Sequence, residues 1–110
     1  MAHTIQNTER ANMTSFHGTE FRASANEIIA ILGEPTYDSN DGSDKVNLEW
    51  ICETETGEVF TIYDWKEYRP IEMDEKIDWH IGGHNGRVTN AALKELEKFG
   101  VQPLENPFGF

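Results

Sequence analysis

Very little in this 110-residue chain could cross-link it or anchor it in a membrane. Cys52 is the only cysteine, so no internal disulfide can form, which fits a reducing cytoplasm. No apolar run approaches the ~20 residues that a membrane-spanning helix needs. Met1–Asn12 lacks the apolar stretch of a secretory leader, so a cytoplasmic protein with no membrane partner is expected. Cations are scarce too: nine Lys and Arg stand against twenty Asp and Glu, a formal net charge of −11. Between Glu34 and Asp78, fourteen acidic residues face only Lys45, Lys66, Arg69 and Lys76. Such a surface repels the phosphates of duplex nucleic acid, so no direct duplex binding is expected. It serves solubility, or else imitates nucleic acid and inhibits a basic host protein.

Six Phe, three Tyr and three Trp supply a real core, and the length fits one domain. Residues 1–13 read as a polar N-terminal segment, 14–100 as a single α+β domain, and 101–110 as a tail. Phe108 and Phe110 are expected to dock that tail, since exposed phenylalanines are costly. Thr14–Arg22 reads as a strand with Gly18 as a bulge. Ser24-Ala25-Asn26-Glu27 is a capping box, Ile28, Ile29 and Leu32 form an apolar stripe, and Gly33 and Pro35 end the helix, which predicts Ala25–Leu32. Val46, Leu48, Trp50 and Cys52 alternate with polar positions, and Val59–Trp65 returns as the second arm of a hairpin. With Thr56-Gly57 as its tip, Cys52 faces Thr61 and Trp50 faces Tyr63, leaving Ile51, Phe60 and Ile62 on the other side. Both faces then carry apolar residues, so something besides a helix, such as another subunit, must cover part of one. Lys76–Ile81 alternates again, and Ala92, Leu93, Leu96 and Phe99 mark a second helix over about Thr89–Phe99. The expected fold is an antiparallel sheet of about four strands with two helices, in the order strand-helix-strand-strand-strand-helix.

The densest chemistry lies at the junction into the second helix, Gly82-Gly83-His84-Asn85-Gly86-Arg87. Glycines let a ligand approach the backbone, a helix start offers free amides to an anion, and Arg87 brings a planar fork for phosphate. Equally, three glycines in five residues make a plain turn, with Asn85 or Thr89 as the cap. Arg22 and Arg69 lie near Phe21, Tyr63, Trp65 and Tyr68, an arrangement able to clamp a base by stacking and charge. These residues form the candidate ligand site: Gly82, Gly83, His84, Asn85, Gly86, Arg87, Tyr63, Trp65, Arg22 and Arg69. Trp79 alternates with polar neighbours and is assigned to the core. No catalytic set is expected: Cys52 sits on a buried strand face, and no carboxylate spacing singles out Asp64 or the neighbourhood of His80. No metal or cofactor is expected either. His80 and His84 are separated by two glycines, and the Asp38–Glu49 stretch fails the calcium-loop register because Gly42 falls at its fifth position.

Phe60-Thr61-Ile62-Tyr63-Asp64-Trp65-Lys66 followed by Trp79-His80-Ile81-Gly82-Gly83 resembles a group of small bacteriophage-encoded proteins, over roughly the second half of the chain. The Ser24–Pro35 helix fits the same group. The chain is also similar to phage anti-defence sponges of the Thoeris type, which are oligomers that sequester a nucleotide-derived immune signal without destroying it. That likeness implies a non-enzymatic homo-oligomer in the host cytoplasm, with a pocket between subunits for a cyclic nucleotide or cyclic ADP-ribose-like ligand. The acidic inhibitor and a small structural component of the virion are the other two classes.

Overall fold

The computed structural model describes residues 2–104. Its longest strands are β2 (Ser15–Ala23), β4 (Leu48–Glu53), β5 (Val59–Tyr63) and β6 (Ile77–Gly83). Three two-residue strands join them: β1 (His3–Thr4), β3 (Tyr37–Asp38) and β7 (Gln102–Pro103). The fold is α+β and antiparallel as expected, but the sheet has seven strands rather than about four. Its order is β1-β4-β5-β6-β2-β7, with β3 also on the β4 edge. Two-residue bridges have no alternation to read, which is why the short strands escape a periodicity argument.

Helix α1 (Ala25–Leu32) has the predicted bounds. The Ser24 hydroxyl accepts from the Glu27 amide at 3.1 Å, and the Glu27 carboxylate accepts from the Ser24 amide at 3.2 Å. Gly33 leaves the helix at φ +87° and its carbonyl accepts from the Trp50 indole at 2.9 Å. Helix α2 (Gly86–Glu97) starts earlier than predicted because Asn85 is the cap, its side chain accepting from the Val88 amide. The two glycines before it are not a turn. Gly82 and Gly83 are ladder residues of β6, paired with Thr61 and Phe60 on one side and with Phe16 and Ser15 on the other.

The hairpin register also differs from the expectation. Trp50 pairs with Ile62 and Cys52 with Phe60. Its tip holds three residues, Glu55-Thr56-Gly57, because the Gly57 amide bonds the Thr54 carbonyl and Gly57 takes φ +85° before pairing resumes. That is the bulged three-residue hairpin. The one-residue slip moves Phe60 and Ile62 onto the face of Trp50 and Cys52. One core results, in which Leu48, Trp50, Phe60, Ile62, Trp79, Ile81 and Phe21 meet Ile28 and Leu32 of α1 and Val88, Ala92 and Leu96 of α2. Trp79 lies at its centre, edge-on to Trp50, with its indole donating to the Ala23 carbonyl at 2.8 Å.

The opposite face is covered in part by the chain's own N-terminal segment. β1 pairs with β4 and β2 with β6, so residues 5–14 run from one side of the hairpin to the other. A 3-10 helix, Thr8–Ala11, touches β5 on the way. Arg10 donates to Glu53 and to the Gly57 carbonyl, each at 2.8 Å, and the Ile5 amide bonds the Ile51 carbonyl. Ile51, on this face, is only 3% exposed. β7 pairs with β2 and Val101 is buried, while Phe108 and Phe110 lie outside the described residues.

Candidate functional site

Directly opposed residues of neighbouring strands share a face. Tyr37 pairs with Glu49, Glu49 with Tyr63, Tyr63 with His80, and His80 with Glu20. A five-residue polar and aromatic row therefore crosses the sheet on the face away from the helices. Rings thicken it: Phe16 stacks on His80 at 4.1 Å, Tyr63 meets His80 edge-on at 5.5 Å, and Trp65 lies nearly parallel to His80 at 6.2 Å. His80 also reaches Glu20 at 3.2 Å. Burial holds the imidazole below its ordinary pKa, opposed by the charges of Glu20 and Asp78.

Beside this row opens a cleft of about 250 Å³ lined by Ser15, Glu49, Thr61, Tyr63, Trp65 and Gly82. Its floor exists because residue 82 has no side chain: a Cβ there would lie 2.5 Å from the Thr61 hydroxyl. Glu49 is half-buried, and burial alone pushes its carboxyl above the ordinary range. Among the described residues no hydrogen bond or ion pair reaches its oxygens. The neighbouring Tyr63 phenol is raised by burial and then by the Glu49 charge. Trp65 is 41% exposed and has the ammonium groups of Lys45 and Lys66 at 5.9 and 5.5 Å from its ring. Neither lysine forms a salt bridge among the described residues.

Asp64 fixes this rim from behind. Fully buried, it accepts from the Asn47 amide at 2.8 Å, the Leu48 amide at 2.9 Å and the Asn47 side-chain amide at 3.0 Å. The Lys66 amide then bonds the Lys45 carbonyl at 2.8 Å, tying the residues after β5 to those before β4. Asp64 thus has a structural task.

The predicted site residues separate into several places. Gly82, Tyr63 and Trp65 meet at the cleft. His84 and Asn85 line a second cavity, of about 330 Å³, with Arg10, Glu58 and Val88. Gly83 is buried against the Thr89 methyl, and Gly86 opens α2 near the His17 side chain. The three arginines do not converge. Arg87 forks onto Glu58, Arg69 onto Glu75, and Arg22 pairs across β2 and β6 with Asp78 at 2.8 Å. Ion pairing raises the guanidinium pKa of Arg87 and Arg69 and lowers the carboxyl pKa of Glu58 and Glu75. Reading the sequence for cationic clusters missed Glu49, Thr61, Ser15, Lys45 and Lys66; the signal for Glu49 was its place on the polar side of an alternating strand. Comparison with protein families, curated proteins and solved structures finds no match.

Cys52 is buried on the core side, and burial drives its thiol far above the ordinary range, away from the nucleophilic thiolate. Among the described residues, no group of three His, Cys, Asp or Glu is arranged to hold a metal ion, and no helix is long and apolar enough to cross a membrane.

Proposed function

We propose that the chain is a non-catalytic binding protein for a nucleotide-like molecule, taking the base in the Glu49–Tyr63–Trp65 cleft. The observation that carries this reading is an aromatic wall with two lysines against it that form no salt bridge among the described residues. Stacking on an aromatic face contributes about 1–3 kcal/mol per base, and the Lys45 and Lys66 ammonium groups, 5.9 and 5.5 Å from the Trp65 ring, bring positive charge beside that wall for a phosphate. Arg87, expected to hold phosphate, and Arg22 and Arg69, expected to clamp a base by stacking and charge, pair instead with the protein's own carboxylates. The volume is below the ~300–1,000 Å³ of a pocket for a whole drug-sized ligand, so one ring enters and the remainder lies along the rim. A second copy of the chain closing over the exposed Met13, Phe16 and Tyr37 would complete the enclosure. A pocket closed between subunits is what the likeness to the oligomeric phage sponges implies, with a host cytoplasm as the place of action.

Calorimetric titration of the full chain with linear and cyclic nucleotides tests the reading. Binding should weaken about tenfold or more in Trp65→Ala and in the Lys45→Ala/Lys66→Ala pair, and stay near wild type in Arg87→Ala. The nucleotide should be recovered unchanged. Failure of every nucleotide to bind, or binding indifferent to Trp65, refutes it. Light scattering with and without nucleotide tests the oligomer. The acidic-inhibitor reading has less support, because Glu53, Glu58, Glu75 and Asp78 engage the protein's own arginines and Asp64 points inward.

A further inference from the structure

A carboxylate drawn half out of water needs a partner, and Glu49 finds none among the described residues. The ammonium groups of Lys45 and Lys66 lie over Trp65, in the cleft wall, instead of pairing with it. Its cross-strand neighbours on either side are phenols, the exposed Tyr37 and the half-buried Tyr63. Below them Gly82 leaves the floor open against Thr61. The cleft beside Glu49 is thus walled by Tyr63 and Trp65, and among the described residues no donor in it reaches the Glu49 oxygens.

We propose that Glu49 is the specificity-determining group of this cleft, accepting two parallel N–H donors from a planar ring of guanine type. The proposal rests on the nucleotide reading above. An ionised carboxylate offers two acceptor oxygens side by side, and its strongest partners present two donors with the same spacing. Guanine does this through N1–H and the N2 amino group. Adenine and cytosine place a ring-nitrogen lone pair next to their amino group, and uracil flanks its single N–H with carbonyls. Each of those sets a lone pair against a Glu49 oxygen. A buried polar group left unpaired by the wrong ligand discriminates far more strongly than a lost apolar contact. A guanidinium ion carries the same donor fork, so the two sources need separate arms in the test.

The experiment is calorimetric titration of the full chain with guanosine 5′-monophosphate, inosine 5′-monophosphate, adenosine 5′-monophosphate and methylguanidine. Guanosine monophosphate should bind about a hundredfold more tightly than the adenosine compound. Inosine monophosphate, which lacks the amino group, should fall about tenfold below guanosine monophosphate, as expected for one charge-assisted hydrogen bond. In Glu49→Gln, whose folding is checked by its denaturation curve, the guanine preference should vanish. Equal or tighter binding of adenosine monophosphate, or an unchanged preference in Glu49→Gln, overturns the assignment of Glu49 while leaving a nucleotide cleft standing. Binding of methylguanidine alone, reduced in Glu49→Gln, upholds the donor fork and overturns its assignment to a guanine ring. Silence from all four compounds overturns the role of Glu49, while the titration with linear and cyclic nucleotides decides the nucleotide reading separately.

Discussion

Replacing Asp64 by Asn changes one oxygen to an amino group and removes one charge, yet its cost should be large. The Asn47 and Leu48 amides can still share one carbonyl oxygen. The new amino group, however, faces the Asn47 side-chain amide, donor against donor. Asn47 cannot turn over to relieve this. Its oxygen already accepts from the Gly42 amide at 2.9 Å and its nitrogen donates to the Arg69 carbonyl at 3.0 Å. One hydrogen bond to a charged group is lost outright, worth ~1.5–3 kcal/mol, and two others lose their charge assistance. The sum is about 2–4 kcal/mol, from a total of ~5–15 kcal/mol for an ordinary domain. Urea denaturation followed by tryptophan fluorescence reads it directly, as a lower midpoint at unchanged slope. Because Trp65 follows Asp64 and Glu49 lies two residues past Asn47, the nucleotide binding proposed for this cleft should weaken too. A variant within about 0.5 kcal/mol of wild type would mean that the Asp64–Asn47 latch does not hold this end of the sheet.

Gly82→Ala should destabilise by about 1–3 kcal/mol through overpacking, since the new methyl meets the Thr61 hydroxyl; adding Thr61→Ala should restore part of the loss in the same denaturation assay. Ser24→Ala removes the hydroxyl half of the capping box and should cost about 1 kcal/mol, read as a lower melting temperature. Glu49 gives a pH signature. Its carboxyl is raised in the folded state, so the protein is relatively stabilised below the unfolded carboxyl pKa and loses that contribution as pH rises through the folded value. Glu49→Gln should therefore melt higher than wild type at neutral pH, with the advantage vanishing in acid; a lower melting temperature at neutral pH would contradict an unpartnered carboxylate.

What could be read from the sequence was local. The cap, stripe and terminator of α1 lie within ten residues and cooperate, so their outcome matched. Trp79, between the polar Asp78 and His80, fell in the core where its alternation put it. The hairpin register failed on a single residue, because Thr56-Gly57 suits both a two-residue tip and the bulged loop that forms. The arginines failed for a different reason. Arg87 and Glu58 are 29 residues apart in sequence, and no spacing rule shows that they pair. The polar row escaped notice because its members come from β2, β3, β4, β5 and β6, each contributing one unremarkable side chain. Gly82, Tyr63 and Trp65 do meet at one cleft, although Gly82 lies there for the room it leaves in a ladder and not for the flexibility of a turn.

The route of the first residues across the sheet has a consequence for how the chain assembles. β1 can add to the sheet edge only after β4, nearly half the chain later, has been made, and β2 must wait for β6. The β4–β5 hairpin and α1 are local and can form early, whereas the β1–β4 and β2–β6 pairings must close long loops first. Folding should therefore be limited by the docking of the N-terminal arm and β2, on the slow timescale of topologies rich in distant contacts. Until Arg10 reaches Glu53 and the hairpin tip, Ile51 and the β4 edge stay open. During that interval the protein is most exposed to pairing with another copy of itself.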